Sequence, residues 1–524
     1  MDSLPQEMWL RIFALVDCTK SLGRLVLSCR KFNTLGLEAL LRHIRWRSAG
    51  VALTHMEFWD RNPSKTHLVR TLSLQLGVES TNFEEEERIF RCIRSFSRLN
   101  HVMLLGGTVP DMIYPTLQLL PSVTHLTLQA CTISPPPPFF PDSYPSTLPP
   151  APIQVTHLVV SKLRLPPVTG FIIDGVAIPI ADYFPHLQSL VTDNIGVNLP
   201  TQVAAHLTSL RLKLSGHSLG DIQPRLDVLL ARLPALVHLD ISAPAAHPVA
   251  AVSQQPAPAL PHLLTLSAPW PAAGHIFPSA PLLSHLRVTT SVTKSDDAIW
   301  LLEHLRGIAL QSMVLLLEMW DDEIPLAAVR CLPQCETLEI VYAGGGPSDT
   351  FLFDLGIHHL PLLPRLRTLR LHRAPPQPEP EPQPPRFAWP AALPPPPVLG
   401  PLPPLAAFRR RRQQLAAAAN ADAQLAAPEG AGSAEVATAA AREAKAAARA
   451  AKAAALHAEK TAAMRECVHA WARYNPVLQR VQLGHEEGRT WVRRALGGRQ
   501  RQWDVDVEAE EERKAAWALI CAAP

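Results

Sequence analysis

The sequence predicts an α+β protein in which a small N-terminal block of three helices precedes an α/β repeat solenoid. Three observations predict this arrangement. One short apolar pattern recurs through residues 69–483, apolar residues at helical spacing fill residues 4–44, and proline and then alanine dominate residues 374–463. Because strand-forming repeats and helical periodicity occupy different parts of the chain, we expect different architectures there.

The recurrent pattern is apolar-x-x-apolar-x-apolar, and thirteen copies stand out. The eleven intervals between Leu72 and Leu369 average 27 residues, and in eight copies a proline stands two residues before the first apolar position. The middle apolar residues are Leu72, Val102, Leu126, Leu158, Leu190, Leu210, Leu239, Leu266, Leu286, Met313, Leu338, Leu369 and Val481. The pattern predicts one strand per repeat, with its apolar side chains in the core of a solenoid.

In this pattern the chain resembles leucine-rich-repeat proteins. The segment 123–133 fits the longer consensus of those repeats through Cys131 and Ile133, whereas most other copies lose the pattern after the strand. Helix-like runs between strands, such as the one around Phe90 and the one around Leu229, are expected to close the back of each repeat. The resemblance implies a curved parallel sheet whose concave side is free for a ligand.

Polar positions between the core residues of each strand are expected to face the concave side. The position just before the middle apolar residue is histidine in five copies, and the last continuous repeat is basic. The candidate binding residues on this face are His125, His157, His238, His285, Arg367 and Arg370. Since imidazole titrates near neutrality, one hypothesis is a pH-responsive or acid-recognising column. The alternative is that a polar, strand-tolerant residue simply suits an exposed position.

The N-terminal block is predicted to contain helices over residues 4–16 and 21–32 and a third apolar run over 35–44. The first helix is apolar around most of its circumference, because Trp9, Leu10 and Phe13 lie off the face that carries Met8 and Ile12. A helix that is apolar on two sides must bury both. The second side therefore needs a partner, or else it packs on the following repeats.

Particular residues in this block resemble the F-box family. The matching residues are Leu4-Pro5-Gln6-Glu7-Met8, Ile12-Phe13, Val16, Leu22, Leu25-Val26, Cys29-Arg30 and Phe32, and Ser28 departs from the usual aliphatic residue. The resemblance covers about residues 3–46 and predicts an F-box domain over 1–47. It implies binding to a Skp-type adaptor, and through it to a cullin–RING ubiquitin ligase. It assigns adaptor binding to Leu4, Pro5, Met8, Ile12, Phe13, Val16, Leu22, Leu25 and Cys29.

The rest of the chain divides by composition. The solenoid is expected over residues 48–373, and a proline-rich disordered linker follows over 374–408, because so many prolines prevent a helix or a ladder. The remaining predicted segments are an Arg/Ala-rich, partly helical insertion (409–463), a final repeat with a C-terminal cap (464–507) and a charged tail (508–524). The run Arg409-Arg410-Arg411-Arg412 is either a nuclear import signal or part of a solvated insert.

The composition of the chain and the absence of known motifs from its sequence argue against a membrane protein, a secreted protein and an enzyme. The net charge is +3, no apolar run is long enough to span a membrane, and no secretory signal is visible, so we expect a location in the cytoplasm or nucleus without membrane contact. Scattered cysteines suggest a reducing compartment, with neither a metal site nor a cofactor expected. No phosphate-binding loop, His-Glu-x-x-His or Gly-x-Ser-x-Gly motif occurs, so we expect no catalytic residue.

Three functional hypotheses follow. By resemblance, the chain is the substrate-recognition subunit of an SCF-type E3 ubiquitin ligase, with an unknown protein target on the concave sheet. The alternative is a non-catalytic leucine-rich-repeat scaffold that acts outside ubiquitin transfer. Nucleic-acid binding through the arginine run is not expected, because the net charge is near zero and no aromatic residues are interleaved with that run.

Overall fold

The computed structural model describes residues 4–14, 16, 19–75, 83–109, 112–133, 153–162, 184–193, 199, 201–214, 219–243, 258–374, 445–452, 455, 462, 464–484, 489–496 and 500–505. The chain forms two compact units. One contains Met1–Arg373 with Tyr474–Gly488, and the other contains Ala374–Arg473 with Arg489–Pro524.

The helices of the first unit alternate with strands after an all-helical start. They are α1 (Gln6–Ala14), α2 (Thr19–Ser28), α3 (Arg30–Arg42), α4 (Ala49–Arg61), α5 (Phe83–Arg94), α6 (Ile113–Gln118), α7 (Thr201–His206), α8 (Leu219–Ala231), α9 (Trp270–Ile276), α10 (Ser295–His304), α11 (Glu323–Cys331) and α12 (Asp349–Asp354).

Most strands of this unit are four to eight residues long. They are β1 (His43–Trp46), β2 (Thr71–Gln75), β3 (His101–Leu105), β4 (Thr108–Val109), β5 (His125–Gln129), β6 (Thr132–Ile133), β7 (His157–Ser161), β8 (Ser189–Thr192), β9 (Ser209–Lys213), β10 (His238–Ser242), β11 (Thr265–Ala268), β12 (His285–Val288), β13 (Ser312–Met319), β14 (Thr337–Gly344), β15 (Thr368–Arg373) and β16 (Arg480–Gly484).

One parallel sheet runs through the first unit in chain order. Its order is β1-β2-β3-β5-β7-β8-β9-β10-β11-β12-β13-β14-β15-β16, and the short strands β4 and β6 pair separately. All thirteen predicted copies are strands of this sheet, and their apolar residues are at most 3% exposed. The α/β repeat solenoid is therefore confirmed. Strand β16, which carries the last copy of the apolar pattern, pairs in parallel with β15, so the repeat pattern resumes after the insertion.

The strands pair without a register shift, so equivalent repeat positions form straight rows across the sheet. The row that precedes the middle apolar residue runs His43, Thr71, His101, His125, His157, Ser189, Ser209, His238, Thr265, His285, Ser312, Thr337, Thr368 and Arg480. Since side chains alternate between the faces of a strand, this row lies opposite the apolar core. We call this side the open face; it corresponds to the predicted concave side.

Several boundaries in the N-terminal block differ from the sequence-based expectation, and the first helix runs over Gln6–Ala14 and not over 4–16. The second helix ends at Ser28 and not at Phe32, because Cys29 is extended (φ −157°) and its Sγ accepts a hydrogen bond from the backbone N–H of Phe32, which caps α3. The first strand, β1, lies inside the range expected for the helical block. Helix α3 passes directly into this strand, and the backbone N–H of Arg70 donates to the carbonyl of Arg42 at 2.9 Å.

The second unit is described only in part. Residues 445–452 and 464–473 are helical, in agreement with the predicted helix of the insertion where it is described. Residues 375–444, with the proline-rich linker and the arginine run, lie outside the described residues. The strands β17 (Arg489–Leu496) and β18 (Gln500–Val505) form an antiparallel pair, with Trp491 opposite Val505. The predicted role of this segment as a solenoid cap stays a prediction, and the charged tail at 508–524 lies outside the described residues.

The chain turns after three neighbouring strands through residues with positive φ. Gly106 (φ 68°) follows β3, Ala130 (φ 55°) follows β5 and Lys162 (φ 53°) follows β7. We expect Ala130→Gly to raise the free energy of unfolding by about 0.5 kcal/mol, because glycine adopts this left-handed conformation without steric cost. Gly106→Ala should lower it by a similar amount. Urea denaturation followed by circular dichroism measures both changes, and a destabilised Ala130→Gly chain would contradict a left-handed turn at this position.

Candidate functional site

The helical block has a core of its own. Phe13, Leu22, Phe32 and Leu35 form a buried cluster, and the ring of Phe32 lies 5.4 Å from that of Phe13 in an edge-to-face arrangement. Helices α2 and α3 approach closely at Gly36, where an added Cβ would lie 2.6 Å from the Val26 side chain. The block is therefore organised by its own side chains, and its outer surface has a defined shape.

That outer surface exposes large apolar side chains. Leu4 is 39% exposed and Met8 is 44% exposed, and one turn further along α1 lies the half-buried Ile12. The spacing of four residues places Met8 and Ile12 on one side of the helix, and Leu4 lies two residues before the helix begins. On α2, Leu27 is 81% exposed. Because burying a leucine or methionine yields roughly 1.5–3 kcal/mol, this surface is suited to contact with another protein.

The other residues assigned to adaptor binding occupy different environments. Pro5 is exposed, and its carbonyl accepts a hydrogen bond from the backbone N–H of Met8. Val16 and Leu25 are half-buried against the core cluster, and Cys29 is exposed as the cap of α3. Phe13 and Leu22 are 1% and 4% exposed, so they lie inside the core and do not belong to the surface that a partner reaches.

On the open face, three histidines of adjacent strands are close together. The ring centroid of His125 lies 5.8 Å from that of His101 and 4.3 Å from that of His157, and the second pair is stacked with an interplanar angle of 10°. His43 stands in the same row, with only Thr71 between it and His101. We refer to His43, His101, His125 and His157 as the histidine row.

Threonine hydroxyls orient these rings. Nδ1 of His125 lies 2.8 Å from Oγ1 of Thr124, and Nδ1 of His157 lies 2.8 Å from Oγ1 of Thr156. The Thr156 hydroxyl donates to the carbonyl of Thr124, so its oxygen accepts from Nδ1–H of His157. In the neutral ring the proton therefore stays on Nδ1, which leaves Nε2 of His157 as an acceptor.

Three imidazoles of the row have a pKa below the usual value. Burial lowers the pKa of His101, and the neighbouring His125 and His43 lower it further. The pKa of His125 is lowered by burial and then by His157, and that of His43 by burial and then by Arg42. The unfolded chain binds protons at these three histidines more readily than the folded chain does. The stabilisation of the fold that comes from keeping them neutral is therefore complete above about pH 6.5 and is lost as the pH falls below it.

Further along the open face, arginines are paired with carboxylates. Arg211 of β9 lies 2.7 Å from Asp240 of β10, and Arg370 of β15 lies 3.0 Å from Glu339 of β14. Nε2 of the buried His372 also lies 3.3 Å from Glu339. Burial alone would raise the pKa of the Glu339 carboxyl, but the hydrogen bond from His372 and the charge of Arg370 outweigh it and hold that pKa below its usual value.

The predicted residues of the open face are thus brought together only in part. His125 and His157 are in contact, whereas His238 and His285 are exposed and separated by Thr265 of the intervening strand β11. Arg370 forms an ion pair with Glu339. Arg367 lies just before β15, 3.7 Å from Glu336 at the edge of the sheet. Whether these residues bind a target stays a prediction.

Three residues were not singled out by the sequence. Leu27 lies off the apolar face formed by Leu22, Leu25 and Val26, and helical spacing would have identified it as an exposed leucine. His43 and Arg45 belong to β1, whose own pattern Leu41/Ile44/Trp46 matches the repeat but overlaps the helical run before it.

Metal-binding clusters and membrane-spanning helices are absent from the described part of the chain. There, no cluster of three or more histidine, cysteine, aspartate or glutamate residues has the geometry to hold a metal ion. Likewise, no helix in this part has the length and apolar character needed to cross a membrane.

Comparisons with known proteins add little. No family model matches the chain, and no curated protein matches it. Among solved structures, a TLR13–ssRNA13 complex is similar over 58% of this chain and 43% of its own, with 13% identity and a TM-score of 0.30. A Toll–Spatzle complex from Drosophila is similar over 58% and 42%, with 14% identity and a TM-score of 0.25. The chain spans less than half the length of either structure.

The class of the protein follows from its own geometry. One strand per repeat, a constant register and three buried core positions per repeat define an α/β repeat solenoid of leucine-rich-repeat-like form, which here carries a helical block at its start. A long open sheet of this kind offers an extended surface for binding another protein. The fold therefore indicates a protein-interaction scaffold.

Proposed function

We propose that this chain is the substrate-recognition subunit of an SCF-type E3 ubiquitin ligase. The helical block would bind a Skp-type adaptor and through it a cullin–RING assembly, and the open face of the sheet would bind a protein target. The proposal combines the F-box resemblance of residues 1–47 with one structural observation. The block fills its core with its own side chains and still exposes Leu4, Met8 and Leu27.

In this role the chain performs no chemistry. A receptor contributes to ubiquitin transfer by holding a target lysine close to the charged ubiquitin, which replaces a bimolecular encounter with an effectively intramolecular one. The direct continuation of α3 into β1 supports such a role, because it leaves no flexible linker between the two proposed binding surfaces.

Co-purification tests the proposal. We expect the tagged full chain to retain a Skp-type adaptor and a cullin, identified by mass spectrometry. The variant Met8→Asp with Leu27→Asp should retain at least about tenfold less of both, because it places charges on the apolar surface. Met8 is 44% exposed and Leu27 is 81% exposed, and neither belongs to the buried core of the block, so the variant should fold normally.

A matched control is Leu119→Asp, since Leu119 is 61% exposed but lies at the end of α6, away from the helical block. This variant should retain adaptor and cullin like the wild type. Equal retention by the Met8/Leu27 variant would refute the proposed interface. A wild-type chain without any cullin would favour the alternative, a repeat scaffold that acts outside ubiquitin transfer.

A further inference from the structure

We propose that the histidine row, together with Arg42, Arg45 and Arg70, binds an acidic segment of a protein partner, and that it binds this segment more tightly as the pH falls. The inference names the chemical class of the target of the proposed receptor and in that respect rests on the proposed function. Its evidence is the distribution of charge on the open face.

Cations border the histidine row at its N-terminal end. Arg42 and Arg70 occupy equivalent positions just before β1 and β2, and Arg45 stands two residues after His43 on the open face. Arg42 and Arg45 are exposed, and Arg70 is half-buried. Within the described residues none of the three arginines has an ion-pair partner, so their charges are available to a ligand.

Carboxylates are missing from the strand segments that carry the row. The segments 42–46, 70–75, 100–105, 124–129 and 156–161 contain no aspartate or glutamate. In the described residues that follow β8, Asp193 accepts a hydrogen bond from the backbone N–H of Lys162. Within these described strand segments, the charged side chains beside the row are therefore cationic from β1 to β7.

The other end of the open face is different. Arg211 and Arg370 are each neutralised by a carboxylate of the neighbouring strand. An anionic ligand at those positions would have to displace or face that carboxylate, which opposes binding. Charge complementarity therefore places an acidic ligand at the N-terminal end of the sheet and not near Arg370.

Protonation of the row links binding to pH. Without a ligand, stacked imidazoles repel one another when charged, and burial adds to this effect, which agrees with the lowered pKa of His101 and His125. A carboxylate placed over the row would favour the charged rings, because protonation turns Nε2 of His157 from an acceptor into a donor. Binding must therefore take up protons, so affinity rises as the pH falls.

An acidic protein segment fits this surface better than a nucleic acid. Polyanion binding relies on many arginine and lysine contacts, with aromatic side chains for base stacking. Here three arginines border a row of histidines, and the strand segments that carry the row contain no tyrosine or phenylalanine. A few carboxylates in an extended chain match this sparse pattern.

Fluorescence anisotropy with the purified full chain and a labelled oligo-glutamate peptide tests the proposal. We expect the dissociation constant to decrease roughly tenfold between about pH 7.5 and about pH 6, as partial uptake of one proton or more requires. The variant His125→Gln with His157→Gln should lose most of this pH dependence. Arg45→Gln should weaken binding by a similar factor at both pH values.

The matched control is His238→Gln with His285→Gln, which removes two histidines of the same sheet row that have no histidine on the adjacent strands. This control should keep the tenfold dependence, and thermal unfolding should confirm that all variants fold. Equal binding of an oligo-glutamine peptide, or an unchanged pH dependence in His125→Gln/His157→Gln, would overturn the proposal. If a single-stranded RNA binds more tightly than the oligo-glutamate peptide and responds in the same way to the variants, the ligand of this surface is a nucleic acid and not an acidic protein segment.

These measurements require no adaptor. A negative result would therefore leave the co-purification of a cullin unaffected, and a chain that fails to retain a cullin could still bind the acidic peptide. The two proposals fail separately.

Discussion

Replacing Trp46 with alanine is expected to lower the free energy of unfolding by about 3–5 kcal/mol, the usual cost of removing a large buried aromatic side chain. Trp46 is 0% exposed on β1, and its ring lies 6.2 Å from Phe96, which in turn contacts Trp59 at 5.1 Å. These rings fill the core where the helical block meets the first repeats. Differential scanning fluorimetry and urea titration of the full chain would measure the loss.

Trp46→Phe serves as the matched control for this prediction. The indole Nε1 of Trp46 is buried and has no hydrogen-bond partner among the described residues, so phenylalanine removes an unsatisfied donor while it keeps an aromatic ring. We expect Trp46→Phe to lower the free energy of unfolding by less than half as much as Trp46→Ala does. If Trp46→Ala unfolds at the same urea concentration as the wild type, Trp46 is not part of the core.

Leu266→Asp is expected to break the solenoid near its centre. Leu266 is 0% exposed on β11 and pairs in register with Leu239 and Leu286 on the flanking strands. A carboxylate buried there without a partner costs several kcal/mol. Because repeats contact only their neighbours, we expect the damage to be local and to divide the array into two parts that no longer stabilise each other.

Limited proteolysis distinguishes this result from general unfolding. The variant should be cut within residues 258–284 at protease concentrations that leave the wild type intact. Thr265→Asp is the matched control, because Thr265 is the preceding residue but lies on the open face, where a charge is solvated. Equal resistance of Leu266→Asp and the wild type would contradict a continuous core at this point.

The strands were predictable because their determinants are local. Three apolar residues at fixed spacing specify both the strand and the face that it buries, and the constant register then follows from the identical pattern in each copy. The strand β1 was not predicted, although Leu41/Ile44/Trp46 fits the pattern and His43 precedes the middle residue as in five other copies. Its residues also continue the helical periodicity of α3, and one chain cannot show which periodicity prevails.

The side-chain environments were less accessible to prediction. The order of the repeats brings His101, His125 and His157 to adjacent strands, but the stacking of two of the rings depends on the threonine hydroxyls that hold them. The neutralisation of Arg211 and Arg370 depends on charged residues in different repeats. The division of the F-box-like residues into core and surface likewise depends on how three helices pack, which no single helix encodes.

The junction at Arg42–His43 has a mechanical consequence. Each residue added to a helix rotates the next element by about 100°, and each residue added to a strand exchanges its two faces. One extra amino acid between Arg42 and His43 would therefore swivel the bundle about its axis or turn Trp46 outward. Because α3 and β1 are joined without a linker, a protein bound to the sheet and a protein bound to the helical block would keep one fixed mutual orientation.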